Sequence, residues 1–242
     1  MKRTFILILF LVVSALAIGM TGKTSFRDSG VIAIENIEDI RNLNCNVNQI
    51  FTENDVELFI ADYSASYFRQ ISDDVTVMIV KPTDVIHQYN FTMTQAVEII
   101  EVIHGEAQAG DIVEIVSSGG VYDGEYAFHT YDNDRPLHYG MINLMFPDNY
   151  YLIFVNPLEI NDYTQVQRYR EAISLFSQFN LSSDYSKPIN APIETLAYND
   201  YENSEFLCDT QETVDKLVAF KTEVLQAILT EEQWLRYRGA GN

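Results

Sequence analysis

Val97-Glu98-Ile99-Ile100-Glu101-Val102-Ile103-His104-Gly105-Glu106, then Gly110-Asp111-Ile112-Val113-Glu114-Ile115-Val116, then Ser117-Ser118-Gly119-Gly120, is the stretch whose reading decides the fold. β-Branched residues fill both runs, and glycine-bearing turns break them. Successive side chains of a strand face opposite sides. Glu98, Glu101 and Glu114 sit among apolar strand residues and are expected to face water. Phe91-Thr92-Met93-Thr94 leads into the first run from Ala96. Upstream, Val75-Thr76-Val77-Met78-Ile79-Val80 is strand-like and ends at Lys81-Pro82, because proline cannot donate to a ladder. Downstream, Tyr150-Tyr151-Leu152-Ile153-Phe154-Val155 reads as a further buried strand, stopped by Asn156-Pro157. Short strands with Gly-rich punctuation predict an antiparallel barrel or sandwich.

Helical spacing brackets these strands. Val56, Phe59, Ile60, Tyr63, Tyr67 and Ile71 predict one helix over about 53–71, with Thr52 as N-cap and Asp55 at N3. Val166, Tyr169, Ile173, Phe176 and Phe179 predict a second over about 163–179. Val214, Leu217, Val218, Val224, Leu225 and Ile228 predict a last one over about 211–230. Trp234 lies beyond that stripe, where it can dock a partner or fold back onto the core.

Composition sets limits. The chain has 242 residues with 15 basic and 35 acidic side chains, a formal charge of -20, and is 47% hydrophobic and 12% aromatic. Such apolar content excludes a disordered acidic tail, and the acidity argues against nucleic acid, whose phosphates need clustered Lys and Arg. Between Pro82 and Gln167 one basic residue, Arg135, stands against 13 acids. That segment reads as an outer strand face in water, or as one taking divalent cations or a basic partner.

The start has the three parts of an export signal: Lys2 and Arg3, the apolar run Phe5 to Val13, and Ser14-Ala15-Leu16-Ala17. Cleavage is expected after Ala17, with Gly19 as second position. Phe5 to Met20 is 16 residues, fewer than the roughly 20 that span ~30 Å of hydrocarbon. The expectation is a secreted or cell-envelope protein without a stable membrane span after cleavage; the alternative is an N-terminal anchor. Without residues 1–17 the charge is -22 over 225 residues.

The order of the strand runs, ending in Tyr151-Leu152-Ile153-Phe154, resembles exported bacterial proteins of unknown function with a small OB-like β-barrel. The likeness covers about 75–158, and His104 stands where that pattern commonly has Lys. It implies an α+β fold: a small antiparallel OB-like β-barrel flanked by N-terminal and C-terminal helices. The organisation expected is a leader (1–17), an N-terminal polar segment (18–51), helix plus barrel (52–160) and a C-terminal helical extension (161–242). Such barrels also resemble the inhibitory, netrin-like domain of tissue metalloproteinase inhibitors. Those use an N-terminal Cys to chelate the protease zinc, and a start at Ile18 or Met20 lacks it, so inhibition is not carried over.

The parts for chemistry are sparse. Asp123 and Glu125, and Asp132 and Asp134, are weak metal candidates, with Ca²⁺ as the ion. They lack the third ligand, Gly and closing Glu of an EF-hand, and turn chemistry explains them as well. His87, His104, His129 and His138 show no metal spacing. Ser117-Ser118-Gly119-Gly120 is not a GxSxG elbow. Cys45 and Cys208 are a possible disulfide in an exported chain, or two buried thiols. No cofactor is expected. The functional expectation is a non-enzymatic module binding a protein, peptide or saccharide partner through the barrel face or its loops. The alternatives are an acid- or metal-dependent hydrolase and a cell-surface Ca²⁺-binding protein.

Overall fold

The computed structural model describes residues 34–89, 92–117, 119–122, 137–159, 166–173, 175–183, 186–189 and 195–240. The expected leader with its cleavage at Ala17 or Gly19, His129, and the cation candidates Asp123, Glu125, Asp132 and Asp134 lie outside the described residues. From Ile34 onward the chain is one compact unit. In chain order it runs α1 (Ile37–Arg41), β1 (Asn44–Val47), α2 (Glu53–Asp62), α3 (Ala65–Ile71), β2 (Thr76–Tyr89), β3 (Thr92–His104) and β4 (Ile112–Ser117). There follow β5 (Gly120–Tyr122), β6 (Leu137–Tyr139), β7 (Tyr151–Pro157), β8 (Arg168–Glu171), β9 (Gln178–Asn180) and β10 (Thr195–Ala197). A 3-10 turn (Tyr198–Asp200), α4 (Gln211–Ile228) and α5 (Glu231–Tyr237) complete it.

The expected α+β barrel is present. β2, β3, β4, β8 and β7 pair in that order, and β2 pairs back with β7 to close the ring. Closure abolishes the exposed edges that an open sheet would leave. The ring is mixed, because β4 and β8 run parallel while the other pairs are antiparallel. β9 pairs with Tyr151, Leu152 and Ile153 of β7, next to the stretch that pairs with β8, and β10, β1, β6 and β5 form a second, smaller sheet.

Strand periodicity sorts the core into two. Met78, Val80, Val97, Ile99, Val113, Ile115, Ile153, Val155 and Tyr169 fill the barrel. Val77 and Ile79 on β2, and Leu152 and Phe154 on β7, point the other way, under the helices. Both faces of these two strands are buried, which is why their sequences run apolar without alternation. Over them lies an aromatic cluster. Phe68 of α3 meets Phe154 edge-on at 5.1 Å between centroids, and Phe176 meets Phe220 of α4 at 5.1 Å. Such edge-to-face pairs contribute ~0.5–1.5 kcal/mol beyond area burial.

Three readings of the sequence are corrected. The helix over 53–71 is two. Thr52 and Asp55 do form the expected capping box. However, Tyr63 leaves helical geometry, and the Ser64 hydroxyl accepts from Tyr67 N to cap a second helix. Neither is 163–179 a helix: Arg168–Glu171 is the fifth barrel strand and Gln178–Asn180 is β9. The barrel therefore extends past residue 160. Finally, β2 does not end at Pro82. Its pairing with β7 stops at Val80, so Pro82 owes no N–H on that side, and a register shift follows on the β3 side.

The last helix is as expected. Thr210 caps α4, which buries Val214, Leu217, Phe220, Val224 and Leu225. α5 folds back, with Trp234 against the core and Glu101 of β3 accepting from Gln233 Nε2 at 2.6 Å and Tyr237 OH at 2.8 Å. Among the described residues no helix is long and apolar enough to cross a membrane.

Candidate functional site: a cleft at the capped end of the barrel

β4 and β8 finish at one end of the barrel, and the segment Gly140–Phe146 crosses it. Met145 plugs the interior. Gln95, an inward-facing polar residue on β3, fixes the plug: its Nε2 donates to Met145 O at 2.8 Å and its Oε1 accepts from Met145 N at 2.9 Å. An amide side chain matches a peptide group in both donor and acceptor, so nothing is left unsatisfied in a buried position.

Between this cap and the strand ends lies a cleft of about 340 Å³, within the range of small-ligand pockets. Its apolar walls are Met141, Ile142, Leu144 and Leu175. Its polar lining comes from Gln49, Ser117, Asn143, Glu171, Ser177 and Gln178. Most of these polar groups are held in structure. The Ser117 hydroxyl donates to Glu171 Oε1 at 2.9 Å and accepts from Gly119 N at 3.2 Å, which fixes the turn after β4. The Ser177 hydroxyl joins both backbone groups of Ile173. Gln178 Nε2 donates to Asn143 O at 2.6 Å. Asn143 holds the cap, since its Nδ2 donates to the Tyr201 and Glu202 carbonyls and its Oδ1 accepts from Tyr198 OH at 2.6 Å. The half-buried Gln49 makes no such bond with the described residues and has its amide to offer.

No known protein family matches this chain, and no curated protein matches it either.

The residues singled out in sequence are scattered over this frame. Ser117 and Gly119 of the Ser-Ser-Gly-Gly run line the cleft. His104 binds the Val75 carbonyl through Nδ1 at 3.0 Å and so ties the end of β3 to the start of β2. His87 Nε2 is 3.9 Å from Glu114. Glu114 does not face water as expected: it is buried and accepts from Arg168 Nε at 2.6 Å across the parallel pair. Glu98 is exposed. Among the described residues no three His, Cys, Asp or Glu side chains gather as a metal site.

Cys45 and Cys208 are separate free thiols, both fully buried, and the disulfide is not present. Cys208 lies in the aromatic core. Cys45 lies beside the Tyr201 hydroxyl. Burial pushes each thiol up to about 12; Tyr201 opposes this at Cys45, while the Asp209 charge adds to it at Cys208.

His138 of β6 is fully buried with Tyr201 OH 3.1 Å from its Nδ1, and its Nε2 has no hydrogen-bond partner. Burial lowers its pKa to about 4, with the nearby Ile142 carbonyl opposing the shift.

Proposed function

We propose that this chain is an exported binding module whose cleft takes an uncharged peptide segment. The cleft lining carries this reading. Aliphatic walls from Met141, Ile142, Leu144 and Leu175 suit one apolar side chain, and the Gln49 amide in the same lining can bond a peptide group. Among the described residues the lining offers no flat aromatic surface for a sugar ring to stack on, which favours peptide over saccharide. The site sits at a barrel mouth, a common place for ligands. The signal-like start of the sequence and the resemblance to exported OB-like barrels support export.

The test is an array of neutral peptides beside an array of neutral oligosaccharides, probed with the labelled chain. Peptide capture is expected, weakened at least tenfold by Leu175→Arg, which places a charge on a half-buried wall residue at the edge of the core, with thermal unfolding of the variant checking that it still folds. Capture of saccharides alone, or peptide capture that Leu175→Arg leaves intact, would overturn the proposal.

A further inference from the structure

His138 stands apart from His87 and His104 by what surrounds it. Its backbone is locked into the small sheet: His138 opposes Val47 of β1 on one side and Val121 of β5 on the other, and Asn48 N donates to its carbonyl at 2.9 Å. Its ring lies against those of Tyr198 and Tyr201, with centroids at 6.0 and 5.5 Å. The titratable groups facing it are Tyr201, Tyr198 and, through the Tyr201 hydroxyl, Cys45. Among the described residues no charged side chain perturbs the ring. The charges nearest the tyrosines, Arg41 and Glu202, are paired with each other at 2.9 Å.

A neutral imidazole needs one acceptor role and one donor role filled, and this site fills only the Nδ1 side. Charging the ring makes both nitrogens donors. Nδ1–H can then donate to the Tyr201 oxygen, but Nε2–H, buried and unbonded in this arrangement, has to draw in the Ile142 carbonyl and with it the cleft wall. A cation so placed is costly to keep. The nearest acceptor belongs to the Ile142 carbonyl, and Ile142 is part of the cleft wall. The chain from His138 leads straight into that wall through Gly140 and Met141.

We propose that His138 is an acid-operated latch on the cleft: protonating its ring unseats the segment 138–144 and opens the wall that Gly140, Met141, Ile142, Asn143 and Leu144 form. Tyr201 links the two, because its hydroxyl faces His138 and its carbonyl holds the Asn143 amide. That opening governs ligand release rests on the cleft reading above; the opening itself needs no ligand to be observed.

The direction follows from linkage. The ring is harder to protonate when latched than when open to water, so protons favour the open form. The open population is steady above about pH 6.5, grows as the pH falls below that, and levels off near pH 4.

Cys45 and Cys208 report on this without any variant. Both are fully buried, but Cys45 lies under the same tyrosine as His138 and Cys208 lies in the aromatic core. The full chain is treated with 4,4′-dithiodipyridine, which reacts at acid pH, and labelled cysteines are located by peptide mapping. Rates are taken relative to a free cysteine peptide at each pH. Between pH 7.5 and 4.5 labelling of Cys45 is expected to rise about ten- to fiftyfold while Cys208 stays protected, and His138→Gln is expected to abolish the rise. Hydrogen exchange on the wild-type chain provides the second measurement, with 138–144 losing protection at pH 4.5 and residues 211–228 keeping it. Equal protection of Cys45 at both pH values, a parallel rise at Cys208, or a rise that survives His138→Gln would each overturn the latch.

Discussion

Nζ of Lys221 lies 2.7 Å from Oε2 of Glu205, with the two side chains 1% and 4% exposed. A charge pair this deep is stabilised by its further hydrogen bonds. Lys221 also donates to the Ser183 carbonyl at 2.8 Å, and Glu205 Oε1 accepts from Asn180 N at 2.7 Å. The pair therefore joins α4, β9 and the segment before Phe206 at one point. Removing one member strands the other, which costs ~3–5 kcal/mol, whereas removing both can be nearly neutral. Urea unfolding should show Lys221→Met losing that amount, and Lys221→Met with Glu205→Leu losing clearly less than the sum of the single changes.

Gly105 closes the β3–β4 turn with φ +104, and a Cβ there would lie 2.7 Å from the Thr76 hydroxyl and 3.1 Å from Thr76 Cα. Gly105→Ala combines an unfavourable backbone conformation with a clash at the start of β2. A loss of about 2–4 kcal/mol is expected. Gly110, with φ +92 but open space around it, should cost only the backbone part, about 1–2 kcal/mol. Thermal unfolding of the two variants side by side checks the difference.

With both thiols pushed up to about 12, the thiolate is scarce at pH 8. Ellman's reagent should find almost no reactive thiol on the folded chain at pH 8 and two on the chain denatured without reductant. A denatured chain yielding none would restore the disulfide.

His138 makes global stability depend on pH as well. Its folded pKa of about 4 lies below its ordinary 6.5. Below pH 6.5 the unfolded chain takes up a proton that the folded one refuses. Stability is thus fully present above 6.5 and is lost progressively toward pH 4. The full shift is worth about 3 kcal/mol. Replacing His138 with Phe should flatten that part of the profile, measured by urea unfolding at pH 7, 5.5 and 4.5.

The barrel strands were legible because their two-sided burial writes a continuous apolar run into the sequence. The fifth strand was not. Tyr169 faces the barrel, while Ile173, Phe176 and Phe179 face the aromatic core. A strand, a turn and a second strand happened to set these four at helical intervals. The charged–apolar alternation of Arg168-Tyr169-Arg170-Glu171 was the opposing signal. Glu114 was misread for a related reason: the arginine that buries it lies in that unrecognised strand. The small sheet was hidden because β1 and β10 come from opposite ends of the chain and are only a few residues each. The cleft was hidden because Gln95 and Asn143 look like ordinary polar positions until they converge. Only Ser117 and Gly119 drew notice, as part of a run that lacks the GxSxG spacing.

The parallel β4–β8 pair also sets a timetable. β2, β3 and β4 are neighbours in sequence and can zip as they emerge, but β2 must wait for β7, and β4 for Arg168–Glu171. Until then the growing meander shows two bare, apolar edges, which invite pairing with other chains. Non-local closure of this kind slows folding. Chains truncated before Arg168 should aggregate, while those extending past β8 can shut the ring.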